Sequence, residues 1–88
     1  MMPVRQVRIT VPGGAHARPV AELVRLAAEH SDPVTLRTHD GTVVDLSSVL
    51  AVMDLALEIG DEVSLETAPS PEADAVLAAL AQALDPVS

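Results

Sequence analysis

The chain has 88 residues and a mass of 9.1 kDa, enough for one small domain over residues 1–88 and too little for two independent cores. Apolar residues make up 49% and charged residues 20%, which excludes a disordered or fibrous chain. The formal charge is -8, all 5 cations are arginines, and there is no cysteine or aromatic ring; this argues against nucleic-acid binding, disulfides and thiolate chemistry.

The chain starts Met1-Met2-Pro3-Val4-Arg5, without the apolar core of a signal peptide, and no later stretch approaches the roughly 20 apolar residues of a membrane span. A cytoplasmic protein is the default expectation. Val7, Ile9 and Val11 alternate with Arg8 and Thr10, the pattern of a half-buried strand. Pro12-Gly13-Gly14 breaks it. From about His16 to Glu29 the spacing becomes helical, with Val20, Leu23, Val24, Ala27 and Ala28 on one face. Ser31-Asp32-Pro33 ends that helix. Val34 and Leu36 mark a second strand, Asp40-Gly41 a hairpin turn, and Thr42 to Leu46 a third strand. Ser47 or Ser48 can cap a helix running to about Leu57. Gly60-Asp61 leads into a fourth strand, Glu62 to Thr67. Ser70 as cap and Pro71 as first helical residue open a last helix, with Val76, Leu77, Leu80 and Leu84 facing inward. The order βαββαβα predicts an α+β fold, an open-faced sandwich of one four-stranded antiparallel sheet with three helices on one face. Its core of Val, Leu, Ile, Ala and Met, without large aromatic anchors, implies a modest stability resting on close packing of small side chains.

Chemistry concentrates at Gly13-Gly14-Ala15-His16-Ala17-Arg18-Pro19. A glycine turn delivers a histidine to a helix start, with an arginine two positions on. Pro19 fits the first turn, where N–H groups have no intrahelical partner. It also disfavours the helical region for Arg18, so either His16 or Arg18 can be the formal cap. Free amides and the helix dipole make such an end an anion site. The same field disfavours imidazolium and keeps His16 neutral and nucleophilic. If His16 attacked a phosphorus, the amides of Ala17 and Arg18 and the Arg18 guanidinium would face the added negative charge.

These residues resemble the active-site motif of the HPr family, the histidine-containing phosphocarriers of the phosphoenolpyruvate-dependent sugar phosphotransferase system. The similarity extends in element order from about Val4 to Leu84. It implies that His16 carries a phosphoryl group on Nδ1, received from enzyme I and passed to enzyme IIA proteins. The family's phosphate-stabilising arginine corresponds to Arg18 and its proline to Pro19. Ala15 departs from the usual Ile or Leu.

The segment from Leu46 to Met53 holds more apolar residues than one buried stripe needs. With Val52 and Leu55 on the sheet, Val49, Leu50 and Met53 remain at least partly exposed, as a docking surface for partners; the competing reading buries the helix all round. The resemblance implies the same surface, together with a serine, here Ser48, that a serine kinase phosphorylates in some bacteria. Ser47 stands where the family often has a basic residue, and a plain cap explains Ser48 equally well.

His30 stands near the end of the first helix, where a cation favours the dipole, and His39 beside the hairpin turn. The histidines show no helical pairing, so no metal site is expected. Arg25 reads as part of a solvated face. The resulting expectation is a monomeric shuttle with no cofactor, rather than a turnover enzyme. Its rivals are a regulatory module of a nitrogen-related phosphotransfer system, acting on a kinase or transcription regulator, and an inert interaction domain.

Overall fold

A computed structural model of the protein describes residues 2–11 and 17–86. The elements run β1 (Val4–Arg8), α1 (Ala17–Ala28), β2 (Val34–Thr38), β3 (Val43–Asp45), α2 (Val49–Met53), β4 (Glu62–Thr67) and α3 (Ala73–Leu84). The strands form one antiparallel sheet in the order β1-β4-β2-β3, so the last strand in sequence lies between the first two.

Register follows from the alternation of apolar residues. Val7 lies opposite Val63, Leu65 opposite Leu36, and Val34 opposite Thr67, all on the inner face. Gln6, Ser64 and Arg37 make a polar row on the outer face. The helices cover the inner face. α1 contributes Val20, Leu23 and Ala27, α2 contributes Val52, and α3 contributes Leu77, Leu80 and Leu84. Thr67 is the buried polar residue of this core; its hydroxyl donates to the Pro33 carbonyl at 2.9 Å. With no aromatic ring present, many small aliphatic contacts supply the packing.

The expected α+β order and sheet are present, with local corrections. The first strand begins at Val4 and ends before Val11, which is only half-buried. Arg18 lies inside α1, so it is not that helix's cap, and Ala28 faces solvent. The third strand is shorter than Thr42 to Leu46, because Thr42 belongs to the turn and its carbonyl accepts from the Thr38 amide. α2 stops at Met53, not Leu57. The Leu55 amide bonds to the Val52 carbonyl and the Ala56 amide to that of Met53, which tightens the last turn, and Ala56 turns left-handed at φ 52°. This releases Leu57 into the core. α3 begins at Ala73 with Glu72 as its cap, so Ser70 and Pro71 form the preceding turn. The Ser70 carbonyl, not its hydroxyl, serves the helix by accepting from the Ala73 amide. Val76 is only partly buried.

Candidate functional site

His16, with residues 12–15, lies outside the described residues. Its surroundings are described on both sides. Upstream, the amides of Thr10 and Val11 donate to the Leu84 carbonyl at 2.9 and 3.1 Å, and the Thr10 hydroxyl donates to Asp85 Oδ1 at 2.5 Å. The chain leading to the histidine is therefore tied to the C-terminal end of α3, a link between residues 75 apart that no local pattern announces. Downstream, Ala17 is the first helical residue of α1. The amides of a helix's first turn point out along the axis, and the dipole adds partial positive charge there. Ala17 and Arg18 thus contribute amides to the electropositive end of α1.

The two arginines of α1 differ. Arg25 is bracketed by Glu22, at 2.6 and 3.0 Å, and by Glu29, at 2.7 Å. The hydrogen bonds from Arg25 hold the Glu22 carboxyl below its usual range, and Glu22 raises Arg25 in return. Such exposed pairs add little stability, but they offset the charge of Arg25. Arg18 is exposed and makes no ion pair with a described residue. It borders an open depression lined also by Val11, Pro19, Ala21, Ala83 and the paired Glu22 and Arg25. An unpaired guanidinium in the first turn after the histidine can meet an anion held at the helix end.

α2 presents the expected apolar surface. Val52 is buried, Leu50 is 75% and Met53 38% exposed, and Val49 and Leu55 are half-buried. α2 packs on α1 and β3. Ser48 is its cap, with extended backbone and a hydroxyl that accepts from the Ala51 amide at 3.1 Å. Ser47 is exposed and does not cap; its own amide donates to Asp45 Oδ1 at 2.7 Å. The sequence thus left two candidate caps and the structure selects Ser48.

His30 departs from expectation. It lies past the end of α1 and its side chain is only 5% exposed. The signal was present: Leu23, Ala27 and His30 continue one helical stripe into the loop. His39 is exposed on the hairpin. Beside it, the Asp40 carboxyl is lowered to about 2, first by the Thr38 hydroxyl and then by the Thr42 amide. Among the described residues no group of three or more histidines and carboxylates is placed to hold a metal ion, and no helix is long and apolar enough to cross a membrane.

Comparison with known proteins agrees with this geometry. A family described as "PTS HPr component phosphorylation site" matches residues 4–85. The chain is 39% identical over 64 residues to phosphocarrier protein HPr of Streptomyces coelicolor, covering 73% of this chain and 69% of that one. It is 35% identical over 81 residues to phosphocarrier protein NPr of Proteus mirabilis, covering 92% and 90%. The crystal structure of a phosphocarrier protein HPr from Bacillus anthracis superposes with a TM-score of 0.86 at 28% identity, over 96% of this chain and 98% of that one. With a family model matched over residues 4–85 and relatives of this kind, the chain belongs to the HPr family of phosphocarrier proteins of the phosphotransferase system.

Proposed function

We propose that the protein accepts a phosphoryl group on Nδ1 of His16 from enzyme I, with phosphoenolpyruvate as ultimate donor, and passes it to enzyme IIA proteins for sugar uptake. The observation that carries this reading is the start of α1 at Ala17, directly after the histidine, with Arg18 exposed and unpaired among the described residues. In the forward step the Nδ1 lone pair forms a bond to phosphorus while the bond from phosphorus to the donor's leaving atom breaks. The electron pair stays with the donor. The Ala17 and Arg18 amides and the guanidinium face the oxygens of the transferred group, which favours the charged adduct. Arg18 alone, with no lysine in the chain, supports a transient stay rather than a trap. Val49, Leu50 and Met53 form the docking surface for donor and acceptor in turn. Ser48 is then a cap in reach of a serine kinase; phosphate there would add charge to the docking surface without losing the anion-favouring helix end.

The test is incubation with enzyme I and phosphoenolpyruvate, read by intact mass. Wild-type protein should gain one acid-labile phosphoryl adduct, and His16→Ala none. Unmodified wild-type protein with several enzyme I sources would overturn the reading.

A second reading is a carrier of the nitrogen-related branch that also regulates a kinase or transcription regulator. The similarity to NPr proteins over nine-tenths of the chain favours it. Faster phosphorylation by a nitrogen-branch enzyme I than by a sugar-branch one would select this branch. Capture of a regulator that survives His16→Ala would mark the purely binding role.

A further inference from the structure

The two edge strands of the sheet differ. β3 has 3 residues and leads directly into the turn before α2, where the Asp45 side chain takes up the Ser47 amide. β1 has 5 residues and pairs on one side alone, with β4. In an antiparallel pair, successive residues turn both backbone groups toward the partner and then both away. The Ile9 amide donates to the Asp61 carbonyl and the Ile9 carbonyl accepts from the Gly60 amide, both at 2.8 Å; the Pro3 carbonyl accepts from the Thr67 amide at 3.3 Å. Counting by twos from these residues places Arg5 and Val7 among those bonded to β4. Val4, Gln6 and Arg8 therefore turn their N–H and C=O groups to the open edge. Thr10 continues that row, and its amide is used by the Leu84 carbonyl at the end of α3. Val4, Gln6 and Arg8 have no backbone partner on that side among the described residues.

Beside the open edge runs a groove of about 240 Å³ between β1 and the last turns of α3, where Ala78 and Ala81 present small side chains. Arg5 and Arg8 border it and are exposed. Arg5 makes no ion pair with a described residue, and Arg8 meets Glu62 at 3.4 Å in an exposed contact of little strength. The carboxylate on the groove, Asp85, already accepts from the Thr10 hydroxyl. Two of the 5 cations of a chain with formal charge -8 thus lie along one unpaired strand. A second copy of β1 fits this edge poorly, because it would double the positive charge along the seam. What complements it is an extended chain that brings its own backbone donors and acceptors and carries carboxylates.

We propose that the open edge of β1 docks an extended acidic segment of a partner protein by strand addition. The segment's backbone bonds to Val4, Gln6 and Arg8. Arg5 shares the helix-covered face with Val7, and Arg8 lies on the bare face, so carboxylates on both sides of the added strand find a guanidinium. A side chain on the helix side rests on Ala78 and Ala81. The proposal is independent of the phosphoryl-transfer reading, and its test involves no phosphorylation.

The experiment is a titration of the isotope-labelled full chain with the peptide acetyl-Thr-Glu-Asp-Val-Glu-Thr-amide, which carries acids on both faces of a strand, followed by amide shifts and hydrogen exchange. Expected are saturable shifts and slowed exchange at the amides of Val4, Gln6 and Arg8, with little change at Arg5 and Val7, which β4 already protects. Arg5→Gln should weaken binding about fivefold, and Arg25→Gln, on α1, should leave it unchanged. Gln6→Pro removes one donor from the open edge and spares the bonds to β4, so it should abolish binding while Arg5 and Val7 stay protected. The same peptide with lysine in place of its acids should not bind. Shifts that fail to saturate, protection without the alternation, equal binding of the lysine peptide, or full affinity in Gln6→Pro would overturn the proposal. So would concentration-dependent protection of the same amides without peptide, which would give the edge to a second copy.

Discussion

Arg18 and Arg25 share a helix and a formal charge, yet only Arg25 is held by neighbouring carboxylates. Arg18→Ala is therefore expected to slow phosphoryl transfer roughly 10- to 100-fold, the worth of one charge-assisted contact to an oxyanion. Its denaturation midpoint should match wild type because the side chain is exposed; Arg25→Ala should leave the transfer rate within a factor of about two. Stopped-flow transfer from phosphorylated enzyme I separates the two. Asp40 offers a test by pH. Its carboxyl falls from an ordinary 3.8 to about 2 through the Thr38 and Thr42 contacts. A depressed acid contributes stability in full above the unfolded value and loses it as pH falls through the folded one. The contribution of Asp40 should thus be constant above about pH 4 and vanish toward pH 2. Carboxyl carbon resonances should titrate near 2 in wild type and move toward 3.8 in Thr38→Val. A wild-type midpoint already near 3.8 would refute the assignment. The helix expected from about His16 was legible from its spacing, and α1 does run from Ala17, while His16 itself lies outside the described residues. The burial of His30 was not read, because a histidine near a helix end satisfies the dipole rule equally well when exposed.

Helices and strands were legible where one periodicity ran unbroken. β4 matches the expected Glu62 to Thr67 because Val63, Leu65 and Thr67 alternate cleanly between two turns. α2 was over-extended because Leu55 and Leu57 keep an apolar spacing that helix and extended chain both tolerate. Only the left-handed Ala56 and the tightened last turn separate them, and neither has a sequence signature. The two serines before α2 give a direct test of its cap. Ser48→Ala should destabilise by about 1 kcal/mol through loss of the bond to the Ala51 amide. Ser47→Ala should stay within about 0.5 kcal/mol, since Ser47 acts there through its backbone. Equal costs in urea denaturation would show that Ser48 is not the cap. The start of α3 was misplaced for a related reason: Ser70-Pro71 reads as a cap and first helical residue, but the cap is Glu72.

Two buried hydroxyls of the whole fold behave oppositely. Thr67 donates to the Pro33 carbonyl across the sheet, so Thr67→Val should cost about 1–3 kcal/mol by stranding that acceptor. The Ser70 hydroxyl is buried with no partner among the described residues, so Ser70→Ala should leave stability unchanged or raise it. Thermal unfolding of both variants decides, and a large loss in Ser70→Ala would reveal a partner for that hydroxyl. Neither role was legible locally, since each depends on which strands become neighbours. The placement of β4 between β1 and β2 is of the same kind. β1 pairs with β4 alone, while the β2–β3 hairpin reaches β1 only through β4. A nascent chain must therefore hold most of its length unpaired at its first strand until residue 67 has left the ribosome. Folding is then a single late closure, with little native scaffold for a truncated product to retain.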